Sequence, residues 1–137
     1  SEALPTSGTV FLSTHDRDKS ALLPVAQRLD QMGFRLVATE GTARALAETG
    51  LKVETVLKVH EGRPNIEDAI RSGEIQLVIN TPVGRQAAHD DKYLRRAAID
   101  YAVTTVTTLA GARAAVEGIA ALQAQEMQVR ALQDIHG

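Results

Sequence analysis

The chain has 137 residues, 44% of them apolar and 23% charged, with a formal net charge of -2 at pH 7. That length supports one domain with its own core, while the near-neutral charge and 3% aromatic content exclude the basic, base-stacking surface of a general nucleic-acid binder. The absence of cysteine excludes disulfides, thiolate metal sites and cysteine nucleophiles. No apolar run approaches the roughly 20 residues of a membrane span and no signal-peptide pattern opens the chain, so the expected compartment is the cytoplasm or an organelle matrix. With so few aromatics the core must be built from Val, Ile, Leu and Ala, a palette that suits a parallel sheet covered by helices.

Residues 1–8 (SEALPTSG) have the small, polar composition of a linker from a preceding domain, and residues 9–137 form the predicted domain. Thr9–Ser13 reads as a short buried strand. Asp16–Met32 carries helical spacing at Leu22, Leu23, Ala26 and Leu29, with Thr14 or Asp16 as a cap and Gly33 as a stop. Phe34–Ala38 is a second strand, Thr42–Glu48 a short helix stopped by Gly50, and Val53–Val59 a third strand. A helix over Ile66–Ser72, stopped by Gly73, leads to Ile75–Asn80, a continuous apolar strand of central character. Asp90–Tyr101 is a helix, Ala102–Thr105 a strand and Leu109 to about Leu122 a helix. Gln123–Ile135 is Gln-rich with apolar residues at helical spacing, and it extends or follows that last helix. Its Met127, Val129, Leu132 and Ile135 can cover the domain or contact another subunit, so self-association stays open.

The strict strand–helix alternation predicts an α/β fold: a doubly wound, mainly parallel five-stranded sheet with helices on both faces. In such sheets ligands bind outside the carboxyl ends of the strands, where strand order reverses. Three polar turns fall at those ends, and together they point to one shared pocket.

The first is Thr39-Glu40-Gly41-Thr42. Gly41 admits close approach to the backbone, and the Thr39 and Thr42 hydroxyls with the following helix N-terminus suit phosphate oxygens; the same residues would serve as an ordinary capped turn. The second is Lys58-Val59-His60-Glu61-Gly62-Arg63-Pro64-Asn65, which sets two cations, Lys58 and Arg63, around a Gly and a Pro. It is suited to an anion, or to nothing more than a solvated loop, and His60 alone reads as a hydrogen-bonded loop residue. The third is Asn80-Thr81-Pro82, where Asn80 can both donate and accept toward a base or ribose edge, or simply end the strand. Lys19, in the first turn of a helix, has the wrong sign for the helix dipole; a bound anion would relieve this, as would Asp16 and Asp18. Beyond Asn80 lie Arg85, His89, Asp90 and Asp91. His89 and Asp90 are adjacent and do not face each other on a helix, so the carboxylates read as helix caps. No Ser-His-Asp elbow, HExxH, Walker loop or GxGxxG is present, and anion binding without turnover fits better than catalysis.

Taken in order, ATEGTA, KVHEGRPNIEDAI, VINTP, LRRAAIDYAV and TTLAGARA resemble the C-terminal allosteric domain of the carbamoyl-phosphate synthetase large chain, which has the methylglyoxal-synthase-like fold. The likeness covers about residues 9–125, and LPTSG resembles the hinge before that domain. It implies a domain that binds regulatory ligands and makes no product: UMP as inhibitor, IMP at an overlapping site and ornithine at a nearby one. Lys19, Thr39, Thr42 and Lys58 match the family's phosphate site, and Asn80 its ribose or base side. Gly41, Arg63 and Thr81 complete the expected effector-binding set, with no catalytic residue and no metal. The resemblance also implies a parent enzyme that hydrolyses glutamine and uses ATP with Mg or Mn to make carbamoyl phosphate for pyrimidine and arginine synthesis. The partners it implies are the rest of the large chain and the glutaminase small chain, with no nucleic acid and no membrane.

Two departures bear on the ligand. Pro82 stands where UMP-responsive relatives have a second Thr, removing a hydroxyl and a backbone donor. Thr105-Val106 stands where ornithine-responsive relatives have Tyr-Asp, removing a carboxylate suited to an ammonium group. The N-acetylglutamate-binding branch of the family has no specific support in these residues. The rival class is methylglyoxal synthase, a lyase whose first phosphate loop resembles His15-Asp16 with Lys19 and whose later His-Asp segment resembles His89-Asp90. Its catalytic carboxylate lies in a Gly-Gly-Asp loop, where this chain has Gly62-Arg63-Pro64, and an Arg stays protonated and cannot act as a base. A stand-alone nucleotide sensor is the third class.

Overall fold

The computed structural model describes residues 3–81 and 85–136; within these, the side chains of Asp16, residues 85–89 and His136 are not described. Five strands, β1 (Thr9–Thr14), β2 (Arg35–Ala38), β3 (Val53–Thr55), β4 (Leu77–Thr81) and β5 (Thr104–Val106), form one sheet in the order β3-β2-β1-β4-β5. Every pairing is parallel. The helices are α1 (Lys19–Gln31), α2 (Glu40–Ala47), α3 (Ile66–Arg71), α4 (Arg85–Asp100) and α5 (Leu109–His136).

Alternate residues of each strand serve opposite faces of the sheet, as the pleat requires. Val10 and Leu12 of β1, Leu36 of β2 and Leu77 and Ile79 of β4 pack under Leu22, Val25 and Leu29 of α1, Leu46 of α2, and Val116 and Ile119 of α5. Phe11, Val37 and Val78, one residue out of phase, pack under Ile66 and Ile70 of α3 and Leu94 and Ala97 of α4. The two half-cores explain why β1 and β4 are apolar at successive positions. Burying each of these Val, Leu and Ile side chains contributes about 1.5–3 kcal/mol before entropy is counted.

Several boundaries differ from expectation for physical reasons. The strand expected over Val53–Val59 ends at Thr55. It lies at the edge of the sheet, and its partner β2 runs out at Ala38, paired with Thr55. After one further bond, Val56 N–H to Ala38 O at 2.9 Å, the chain turns, and Val59–Glu61 forms a single 3-10 turn with Lys58 at its N-cap. Lys58 therefore sits three residues beyond the strand end. A similar 3-10 turn over Asp16–Asp18 delays the start of α1 to Lys19. Helix α2 starts two residues early: Thr39, extended at φ -67° and ψ 159°, is its N-cap, so Gly41 lies inside the first turn. Helix α4 starts at Arg85, so Asp90 and Asp91 are interior residues and the capping role expected for them does not hold. Its carboxyl end is closed by Ala102 at φ 55°, with Val103 N–H returning to Ala98 O at 2.8 Å, which delays β5 to Thr104. The Gln-rich segment continues α5 as one 28-residue helix.

Residues of the expected linker lie against α5 and β5. Leu4 packs on the core and its Cδ1 would be 2.7 Å from a Cβ on Gly118. Thr6 O accepts from Gln123 Nε2 at 2.9 Å, and Ala3 O accepts from Thr104 Oγ1 at 2.6 Å.

Candidate functional site

The order β3-β2-β1-β4-β5 means that successive connections run outward from β1 in one direction and return to β4 on its other side. The seam between β1 and β4 is the place where strand order reverses, and a cleft is expected beyond its carboxyl end. The register brings Ser13 beside Asn80 and Thr14 beside Thr81 at that seam, and the Thr14 and Thr81 hydroxyls are hydrogen-bonded at 2.5 Å. A cleft of about 250 Å³ opens there, close to the ~300 Å³ at which small-ligand sites begin. Its polar lining includes Thr39, Lys58, His60, Asn80, Asp90 and Asp91, over a floor that includes Phe11 and Ile66.

Four of the expected residues, Thr39, Lys58, Asn80 and Thr81, thus meet in one cleft. The Thr39 hydroxyl makes no capping bond to α2 and instead faces Ser13 Oγ at 3.4 Å. The first amides of α2 are left without a bond from their N-cap side chain, which is where an anion is favoured. Lys19 and Gly41 stand at the same helix end, but neither lines the cleft itself.

Thr42 is placed differently. It is buried, and its Oγ1 lies 3.3 Å from both the N–H and the carbonyl oxygen of Thr14. Its hydroxyl fastens α2 to the end of β1. Arg63 also lies apart from the cleft lining. Its guanidinium is turned to Asp68, 2.6 Å from Oδ1, with 80% of the side chain exposed and away from the cleft. This partner holds the Asp68 carboxyl below its usual range, helped by the bond Asp68 accepts from Asn65 N–H at 2.8 Å.

The loop between β3 and α3 explains the division. Glu61 Oε1 accepts from Lys58 N–H at 2.7 Å, Asn65 Nδ2 donates to Gly62 O at 2.7 Å, and Asn65 Oδ1 caps α3 at Glu67 N–H, 2.9 Å. The Arg63–Pro64 peptide is cis. Glu61, Arg63 and Asn65 build the loop, whereas Lys58 and His60 are presented to the cleft.

The residues underrated by sequence reasoning are His60, Asp90 and Asp91. His60 Nδ1 lies 2.6 Å from Asp90 Oδ2, tying the loop to α4. Asp91, 8% exposed, accepts from Asn80 Nδ2 at 2.9 Å and from Arg95 NH2 at 2.6 Å. The spacing of Asp91 and Arg95 at i,i+4 was a visible signal; Asn80 as a third partner was not. His15 also lines the cleft and pairs with Asp18 at 2.9 Å. Pro82 lies outside the described residues, as do the side chains of Arg85 and His89. Among the described residues no three His, Asp or Glu side chains converge as a bound metal would need, and no helix is long and apolar enough to cross a membrane.

Comparison with known proteins places this geometry in a family. Residues 21–107 match the family model described as MGS-like domain. The carbamoyl phosphate synthase large chain of Acidobacterium capsulatum is 52% identical over 133 residues, covering 97% of this chain and 12% of that protein. The C-terminal section of the large chain from Methanopyrus kandleri is 48% identical over 134 residues, covering 97% of this chain and 25% of that protein. The chain therefore spans a small part of the curated relatives it matches. Among solved structures, methylglyoxal synthase from Elizabethkingia anophelis superposes with a TM-score of 0.66 at 22% identity, covering 82% of this chain and 79% of that one; it shares the fold. The chain belongs to the MGS-like domain family, in the form carried by carbamoyl phosphate synthase large chains.

Proposed function

We propose that this chain is the effector-binding regulatory domain of a carbamoyl phosphate synthase large chain, and that its cleft takes a nucleoside monophosphate, UMP or IMP. The phosphate lies at Lys58 and Thr39, against the first amides of α2, with Lys19 and Gly41 at the same helix end; the ribose or base lies toward Asn80 and Thr81. The carrying observation is the polarity of the cleft, with a cation and an uncapped helix N-terminus on the β2 side and a buried amide at the β1–β4 seam. The partners in this reading are the remainder of the large chain and the glutaminase small chain, in a cytoplasmic, ATP-dependent enzyme serving pyrimidine and arginine synthesis. Effector binding changes how the domain docks on the catalytic body, with a coupling of about 1–3 kcal/mol.

The cleft carboxylates argue against the lyase alternative. Asp91 is engaged by Asn80 and Arg95, Asp90 is engaged by His60, and the loop position of the lyase carboxylate holds Arg63. Calorimetric titration with UMP, and with uridine as control, tests the proposal. Heat with UMP and none with uridine is expected; equal binding of both would remove the phosphate from the account.

A further inference from the structure

An asparagine side chain in a ligand cleft is ambivalent, since turning the amide over exchanges its donor for its acceptor. Asn80 lacks that freedom. It is 7% exposed, its Nδ2 lies 2.9 Å from Asp91 Oδ1, and Asp91 is itself 8% exposed. A carboxylate offers only acceptors, so the amide atom facing it must be the nitrogen. A turned amide would set two oxygens against each other in a buried place, where an unmade hydrogen bond is most costly. The second Asp91 oxygen is held by Arg95 NH2 at 2.6 Å, one helical turn along α4. The lock therefore runs from an exposed guanidinium through a buried carboxylate to the cleft wall. Among the described residues no side chain or backbone group donates to Asn80 Oδ1.

We propose that Asp91, held by Arg95, is a positioning residue that fixes Asn80 with its Oδ1 toward the cleft, so that the site selects a ligand bearing a hydrogen-bond donor at that point. The inference deepens the effector-binding reading and rests on it for the ligand. The donor is either the imide N–H of a uracil-type base or a ribose hydroxyl, and the two are separable by analogue.

The experiment titrates UMP, UMP methylated at N3, and the analogue lacking both free ribose hydroxyls, into the wild-type chain and into Asp91→Asn. For the wild type, one analogue should bind about tenfold more weakly than UMP, which identifies the donor. In Asp91→Asn the neighbouring amide can donate as well as accept, Asn80 is free to turn, and the gap should fall below about threefold. Arg95→Gln, altered at an exposed side chain, should narrow the gap in the same direction without threatening the fold. A gap of the same size in both variants, or an equal weakening of all three ligands, would reduce Asp91 to a structural role and overturn the proposal.

A ligand-free readout separates this from the function itself. In heteronuclear NMR the Asn80 side-chain amide, assigned by its loss in Asn80→Ala, should exchange slowly in the wild type and quickly in Asp91→Asn. Fast exchange in the wild type overturns the lock. A protected amide in a chain that binds neither UMP nor IMP supports the lock and overturns the effector reading.

Discussion

The ammonium of Lys19 stands over Gly41, so that a Cβ on Gly41 would lie 3.1 Å from Lys19 Nζ. Lys19 opens α1 and Gly41 is the second residue of α2, so a side-chain cation meets the positive end of a helix dipole. Gly41→Ala should separate stability from binding. The position is helical, and the substitution should stabilise the fold by up to ~1 kcal/mol through backbone propensity. The methyl displaces the ammonium and covers the first amides of α2, so nucleotide affinity should fall by about 1 kcal/mol. Thermal unfolding and calorimetric titration of the same variant read the two effects, and unchanged affinity would remove the α2 terminus from the site.

Lys58 and Arg63 should differ sharply. Lys58 lines the cleft, and Lys58→Ala should weaken UMP binding by ~1.5–3 kcal/mol, the magnitude of a charge-assisted hydrogen bond. Arg63 is paired with Asp68 outside the cleft, and Arg63→Ala should leave affinity within about twofold. A large effect at Arg63 would place the anion on the other side of the loop.

The Arg63–Asp68 pair carries an acid dependence. The guanidinium first, and the Asn65 N–H second, hold the Asp68 carboxyl below its usual range. A carboxyl whose folded pKa is depressed favours the fold above its unfolded pKa of about 4, and that contribution is lost as pH falls through the lower folded value. Arg63→Ala should move the Asp68 titration back toward normal while the Asn65 bond keeps part of the shift. Carboxyl NMR titration measures this directly, and the stability difference between wild type and variant should vanish in strong acid. A similar exposed pair, Glu54 held low by Arg35, should be untouched by Arg63→Ala.

Ala102 closes α4 at φ 55°, a left-handed conformation that an alanine adopts at a cost. Ala102→Gly should raise stability by about 0.5–1 kcal/mol, read by denaturant unfolding, with no change in nucleotide affinity. A loss of stability would mean that the methyl packs well enough to outweigh the backbone relief.

The Asn80–Asp91 and His60–Asp90 contacts show how much of the site was legible. Asn80, Thr39 and Lys58 were recognisable because polar residues after apolar runs mark strand ends, a local pattern. The partners on α4, Asp91 for Asn80 and Asp90 for His60, were not. Asp90 and Asp91 looked like caps because the helix was expected to begin at them, and it begins at Arg85. Arg63 looked like a ligand because its partner Asp68 lies across a loop whose path no periodicity reveals.

By itself the sequence determined the alternation of strands and helices, the parallel sheet and the turns that carry chemistry, since these follow from spacing, composition and stop residues within a few positions of each other. The tertiary structure alone decided that β1 is the central strand and that the cleft opens at the β1–β4 seam. It also decided which polar groups face the cleft and which are consumed in building it, as Thr42 and Arg63 are. Arg63 meets Asp68 five residues away across one loop, but the seam and the place of Thr42 depend on pairings between residues 28 and 67 positions apart, and hydrogen bonds over such separations are set by how the sheet assembles around its core.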